Sequence, residues 1–283
     1  MTLNQDISVL GAVSPKDLSR TRVELHWLAQ CLAAAGDAFL ERAADDGQSN
    51  AAWSPDHSAL LGRPIGNGAR VGLRVADAEL IIVGANGGII DRRTATGRTL
   101  EELLVWLGGG LERASSAKSA KALALRDYGM PDSVVSDGHA FSFEDSAALG
   151  ELAQWFRNST ALLQEVAAHD PRSSDVRCWP HHFDVGGIIM LDPDKPFEEA
   201  RQLGFGCSPG DGSYDEPYYY VTPFPVPTAL PELASGGHWH REGFTGAILT
   251  GTTVVAAVEA SAQVELVREF LRSAVQGSLP LIS

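Results

Sequence analysis

Two apolar runs of strand length, residues 71–75 and 79–83, are separated only by Ala76-Asp77-Ala78. A parallel strand pair needs a crossover of about a dozen residues or more, whereas an antiparallel pair needs only a short turn. The chain must therefore double back here as an antiparallel hairpin. The longest apolar runs elsewhere, such as residues 188–191, are equally short and far from the roughly 20 residues of a membrane-spanning helix. Further strands are expected at 59–65, 176–185, 188–191, 203–207, 218–222 and 247–257, and the polar stretch 45–55 reads as a loop. Helical spacing marks four other segments. The first starts at Ser14-Pro15 and carries Leu18, Leu25, Leu28, Leu32 and Phe39 on one side. The second opens on the capping box Thr99-Leu100-Glu101-Glu102. The others cover 144–168 and 262–275. Gly108-Gly109-Gly110 inside the second marks a close packing contact or a break.

The expected fold is α+β, with antiparallel sheets flanked by helices. Each half of the chain runs helix, strands, helix, and residues 100–111 and 264–275 look alike. Two similar halves from an old duplication would give that order, and so would coincidence between two α+β segments. The halves are set at 1–114 and 143–283, joined by an Ala/Ser/Lys/Asp/Gly-rich connection at 115–142. The whole could equally form one compact domain.

The chain has 283 residues with 22 Lys+Arg against 36 Asp+Glu, a formal charge of −14. That balance argues against a nucleic-acid partner, which needs a basic face, and against an anionic membrane surface. The start, MTLNQDISVL, has no basic segment followed by an apolar one, so no secretory leader is expected. Cys31, Cys178 and Cys207 are too few for a disulfide scaffold and contain no CxxC pair, which suits a cytoplasmic protein. Residues 84–88 match no nucleotide-binding motif.

The chemistry-bearing residues gather in the second half. His182 and Asp184 are two apart, as are His238 and His240, so in extended chain each pair shares a face. Three imidazoles and a carboxylate form a ligand set suited to a divalent metal, with zinc the first choice. Asp211 and Glu216 are candidate acid–base catalysts for such a site. Tyr218, Tyr220, Trp179 and Trp239 are candidate walls of a substrate pocket. Each residue has a plain alternative: hydrogen-bonded histidines in a loop-rich interior, tyrosines that simply favour strands, and solvated loop acids. His181 is expected to pack beside Trp179 and Phe183. Gly206-Cys207-Ser208-Pro209-Gly210 matches the G-x-S-x-G nucleophile elbow but is rejected, because Pro209 has no N–H to give to an oxyanion hole.

The runs WPHHFD (179–184), SPGD (208–211), EPYYYV (216–221) and GGHWH (236–240) resemble an uncharacterised bacterial protein family, and the first half is similar to the amino-terminal part of a broader one. The resemblance implies no reaction. The expected function is that of a cytoplasmic metal-binding protein, with a metal-dependent hydrolase as one candidate activity and its being an enzyme left open. The competing expectation is a non-catalytic module in which an aromatic-rich pocket binds a small molecule or partner. A third is a subunit interface. The oligomeric state is left open.

Overall fold

The computed structural model describes residues 7–283, so the leader reading rests partly on residues 1–6, which lie outside the described residues. Those described form five α-helices and eleven strands, and the strand pairings within each of two compact units are antiparallel. The fold is α+β with flanking helices. The first unit comprises Arg20–Ala153 and Cys178–Phe183, and the second comprises Gln154–Arg177, Asp184–Ser283 and the segment that ends at Ser19. No helix among the described residues is long and apolar enough to cross a membrane.

In the first unit, α1 (Ser19–Phe39) is followed by β1 (Ala51–Ser54), β2 (Ala59–Gly62), β3 (Arg70–Arg74), β4 (Glu79–Val83), β5 (Ile89–Thr94) and α2 (Leu100–Ser115). The strands form a meander in chain order, and Cys178 of β6 (Arg177–Trp179) pairs with Ala51 of β1. The predicted hairpin is present: Arg70 to Arg74 pair in register with Val83 back to Glu79, and Ala78 takes the left-handed backbone that closes the turn. Two strands were not expected. Residues 45–55 contain β1, because pairing with β2 and β6 supplies hydrogen bonds that its own sequence does not advertise. β5 lies at the sheet edge with Ile89 and Ile90 exposed, so it lacks the buried alternation that marks a strand.

The capping box is complete: Thr99 Oγ1 accepts from Glu102 N at 3.3 Å, and Glu102 Oε2 accepts from Thr99 N at 2.8 Å. The glycine triplet does not break α2. A Cβ at Gly110 would collide with Ile82 Cδ1, so this glycine lets the helix sit close on β4. Of the connection expected at 115–142, Ser115 still belongs to α2, and 116–142 hold no helix or named strand.

In the second unit, α3 (Ser146–His169, from Gln154 onward) precedes β7 (Asp184–Met190), β8 (Gln202–Ser208), β9 (Tyr218–Phe224), β10 (His238–His240), β11 (Gly246–Thr250), α4 (Gly251–Val255) and α5 (Ala260–Ile282). The strand order is β10-β11-β9-β8-β7. Directly paired residues share a face, which puts Leu249, Tyr219, Cys207 and Val185 on one side. All four are buried, and α5 lies against β8, β9 and β11. Full burial of an aromatic or aliphatic side chain contributes roughly 1.5–3 kcal/mol. On this side Tyr219 also accepts a hydrogen bond from Ser159 Oγ of α3 at 3.0 Å.

Two strand expectations are corrected. The segment 176–185 is not one strand, because Pro180–Phe183 form a turn between β6 and β7. The segment 247–257 leaves the strand at Thr250, whose side chain accepts from Thr253 N and opens α4 despite the β-branched residues that follow.

Candidate functional site

The face of the second unit's sheet opposite Tyr219 carries most of the predicted site. His238 pairs with Ile248, Ile248 with Tyr220, Tyr220 with Gly206, and Gly206 with Gly186. The two-residue period then brings His240, Tyr218, Ser208 and Asp184 to the same face. Glycine shapes this surface. A Cβ at Gly206 would collide with the Tyr220 hydroxyl, and one at Gly186 would lie 2.8 Å from it. The Tyr220 ring therefore lies across β8 and reaches β7, where its hydroxyl donates to Asp184 Oδ2.

Tyr218, only 5% exposed, donates to Asp211 Oδ2 at 2.5 Å. Asp211 Oδ1 accepts from the backbone N–H of Ser213 at 2.7 Å and of Tyr214 at 3.0 Å. Asp211 thus closes a tight loop that swings Tyr214 back over the sheet, its ring 4.9 Å from that of Tyr218. Burial, and then the Asp211 carboxylate, hold the Tyr218 hydroxyl far above its ordinary range. Burial, and then Asp184, do the same to Tyr220. Both phenols are fixed as hydrogen-bond donors and do not serve as bases.

Tyr214 Oη stands 3.1 Å from His238 Nε2 and 3.1 Å from His240 Nδ1. His240 Nε2 lies 2.6 Å from the Glu242 carbonyl, which can only accept. A neutral His240 therefore carries its proton on Nε2 and its lone pair on Nδ1. The chain of donors reads His238 Nε2–H to Tyr214 O–H to His240 Nδ1. The His240 ring also stacks on Phe244, with centroids 4.3 Å apart.

The remaining predicted residues are used differently. Glu216 is buried and accepts from Thr252 N at 2.5 Å, so its carboxylate caps the first turn of α4. Trp239 alternates to the face opposite its flanking histidines and donates from Nε1 to the Pro231 carbonyl at 2.8 Å. Trp179 and His182 belong to the first unit. There the HFD segment is not extended, so His182 and Asp184 do not share a strand face. Phe183 N donates to Trp179 O at 2.7 Å, and Phe183 has φ of 58°. The exposed His182 ring lies 4.3 Å from that of His181. The His181 ring also meets Trp179 and Tyr128, at 6.0 and 5.6 Å. Among the described residues, no three His, Cys, Asp or Glu side chains stand close enough to hold a metal ion.

Sequence reasoning passed over a second feature of this unit. Between α3, α5 and β7 lies a cavity of about 360 Å³, walled by Leu162, Val166, Ile189, Leu271, Val275 and Leu279. Charged groups sit at its rim. Glu165 is held bidentate by Arg268 at 2.7 Å on each oxygen, and Asp170 by Arg172 at 2.9 and 2.6 Å. His169 donates from Nδ1 to the Glu165 carbonyl at 2.6 Å. Arg272 is exposed and has no ion pair among the described residues. The available signal was the spacing of Arg268, Leu271, Arg272 and Val275 at i, i+3, i+4 and i+7, a stripe half apolar and half cationic.

No protein-family model matches this chain, and neither the curated proteins nor the solved structures include a match.

Proposed function

We propose that this protein is a non-catalytic module that binds a small amphipathic anion, an aliphatic carboxylate, in the α3–α5 cavity. The single observation that supports the reading is the chemistry of that cavity. Its volume of about 360 Å³ lies in the range of ligand pockets, and its wall is aliphatic. Both rim carboxylates are already neutralised by arginines, which leaves Arg272 for an anionic head. The three buried free thiols fit a cytoplasmic setting. Decanoate titrated calorimetrically into the full chain tests the reading. One saturable site, lost in Leu271→Trp, which fills the cavity, and retained in His238→Ala, is expected. No saturable heat, or heat that survives Leu271→Trp, sinks it.

A metal-dependent hydrolase is the second reading, favoured by the convergence of His238 and His240 on one point. Zinc would take His238 Nε2 and His240 Nδ1, and the Glu242 carbonyl would orient the second ring as outer partners of metal-bound histidines do. A bound zinc ion would supply a water acidified to near-neutral pKa. The fit is partial, because catalytic zinc usually has three protein ligands and Asp211, Asp184 and Glu216 are engaged by Tyr218, Tyr220 and Thr252. Elemental analysis of chelator-free protein decides between the readings. About one zinc per chain, absent in His240→Ala, would favour the hydrolase; no metal and no uptake on titration would remove it.

A further inference from the structure

The first unit carries a second, chemically distinct site, a shallow solvent-open cavity of about 500 Å³ along α2 and β5. Arg93, Arg98 and Arg113 line it, with Trp106, Gly109 and Glu101. We propose that this cavity binds a small molecule through a compact, multiply charged oxyanion, for which phosphate is the simplest case. The inference is independent of the α3–α5 cavity and of the histidine pair.

Four observations carry it. First, none of the three guanidinium groups makes an ion pair or side-chain hydrogen bond to another described residue, and Arg98 Nε is buried without a partner. Want of carboxylates is not the reason, since the chain has 36 Asp+Glu against 22 Lys+Arg. A buried N–H without an acceptor is costly, and three like charges around one cavity repel. A bound oxyanion removes both costs, and guanidinium forks match its oxygens two at a time.

Second, the heads are held in place by neutral means. The Arg93 guanidinium carbon lies 5.0 Å from the centre of the Trp106 ring, and Trp106 is fixed by its Nε1–H donating to Asp91 at 3.1 Å. Third, the helix is shaped for Arg113. A Cβ at Gly109 would sit 3.3 Å from Arg113 Nη1, so this glycine clears the path for the guanidinium to fold across α2. Trp106, Gly109 and Arg113, at i, i+3 and i+7, share one helix face. Fourth, the two carboxylates in the lining, Glu101 and Glu102, form no ion pair with the three arginines, so three cationic side chains face two anionic ones. Glu102 is committed to the Thr99 amide at 2.8 Å, and Glu101 is exposed with no ion pair.

The test is calorimetric titration of the full chain with inorganic phosphate and, in parallel, succinate, against sodium chloride at matched ionic strength. Saturable binding of phosphate or succinate is expected, with the dissociation constant raised tenfold or more in Arg98→Gln and in Arg113→Gln, and unchanged in Arg20→Gln, at an exposed position of α1. Preference for phosphate assigns a phosphate ester, and preference for succinate a dicarboxylate. Arg113 is exposed, so Arg113→Gln reads the site even if Arg98→Gln does not fold. A response equal to that of chloride, or one insensitive to Arg113→Gln, overturns the proposal.

Discussion

His26 of the first unit and the His238–His240 pair of the second sit in opposite surroundings. In the first unit His26 is 8% exposed, stacks on Phe183 with centroids 5.5 Å apart, and donates from Nε2 to the Pro180 carbonyl at 2.8 Å. Gln30 donates to the same carbonyl at 2.6 Å. These two α1 residues pin the turn that follows β6, and Phe183 accepts a left-handed backbone to complete the stack. In the second unit His238 is exposed, and a tyrosine hydroxyl links it to His240. His26 is spent on holding the chain, whereas His238 and His240 are joined to each other through Tyr214. The difference comes from what surrounds each ring, since HH and HWH look equally promising as ligand motifs.

Acid tests the buried His26 most directly. Burial, the largest influence, lowers the His26 pKa from 6.5 to about 4, against the smaller upward pull of the Pro180 carbonyl. Burial, and then His182, bring His181 to about 4 as well. On acidification the unfolded chain takes up these protons first. Stability is therefore intact above about pH 6.5 and declines as pH falls towards 4, with a limit of roughly 3 kcal/mol from His26. Urea midpoints at pH 7.5 and pH 4.5 measure the decline. In His26→Phe, which keeps an aromatic ring in the stack, the decline shrinks by the His26 share, while the carboxylate contributions common to both proteins cancel. An equal decline in the two proteins would show that His26 titrates alike folded and unfolded.

A second contrast lies in how each polar group is anchored. His26 is anchored on a backbone carbonyl, whereas Tyr218 and Tyr220 of the second unit are anchored on carboxylates. Tyr220→Phe deletes a donor to the buried Asp184 while leaving the ring in its glycine-lined trough. Hydrogen bonds to charged groups contribute about 1.5–3 kcal/mol, so about 2 kcal/mol of stability is expected to go. A loss under about 0.5 kcal/mol in urea titration would mean that Asp184 is held by its other contacts and that Tyr220 is only a packing residue.

How much of this was legible in the sequence follows range of contact. The 71–83 hairpin and the Thr99 capping box are written in adjacent residues, and both form as expected. The grouping of Tyr218 with Tyr220, and of His238 with His240, follows from strand periodicity. The turn at Pro180–Phe183 was hidden because its partners, His26 and Gln30, are 154 and 150 residues away. Tyr214 was overlooked for a related reason: its loop closes through Asp211 locally, but its target histidines are 24 and 26 residues further on. Residues 51–54 are strand only because two neighbouring strands pair with them.

The smallest expected effect falls on the histidine pair itself, and it asks whether these rings are organised or merely adjacent. Tyr214→Phe keeps the ring beside Tyr218 and removes the one oxygen that both imidazoles meet. Because His238 is exposed, water replaces most of what is lost, so the stability change should be about 1 kcal/mol or less. The informative readout is the proton position, from nitrogen-detected NMR of the two rings at a pH where they are neutral. In the parent protein His238 is expected to carry its proton on Nε2, donating to Tyr214, and His240 on Nε2, donating to the Glu242 carbonyl. In Tyr214→Phe the His240 tautomer should persist, since its anchor is the backbone, while His238 should distribute between both tautomers. A proton on His240 Nδ1 in the parent protein would contradict the donor chain. It would also remove the Nδ1 lone pair on which the zinc reading depends.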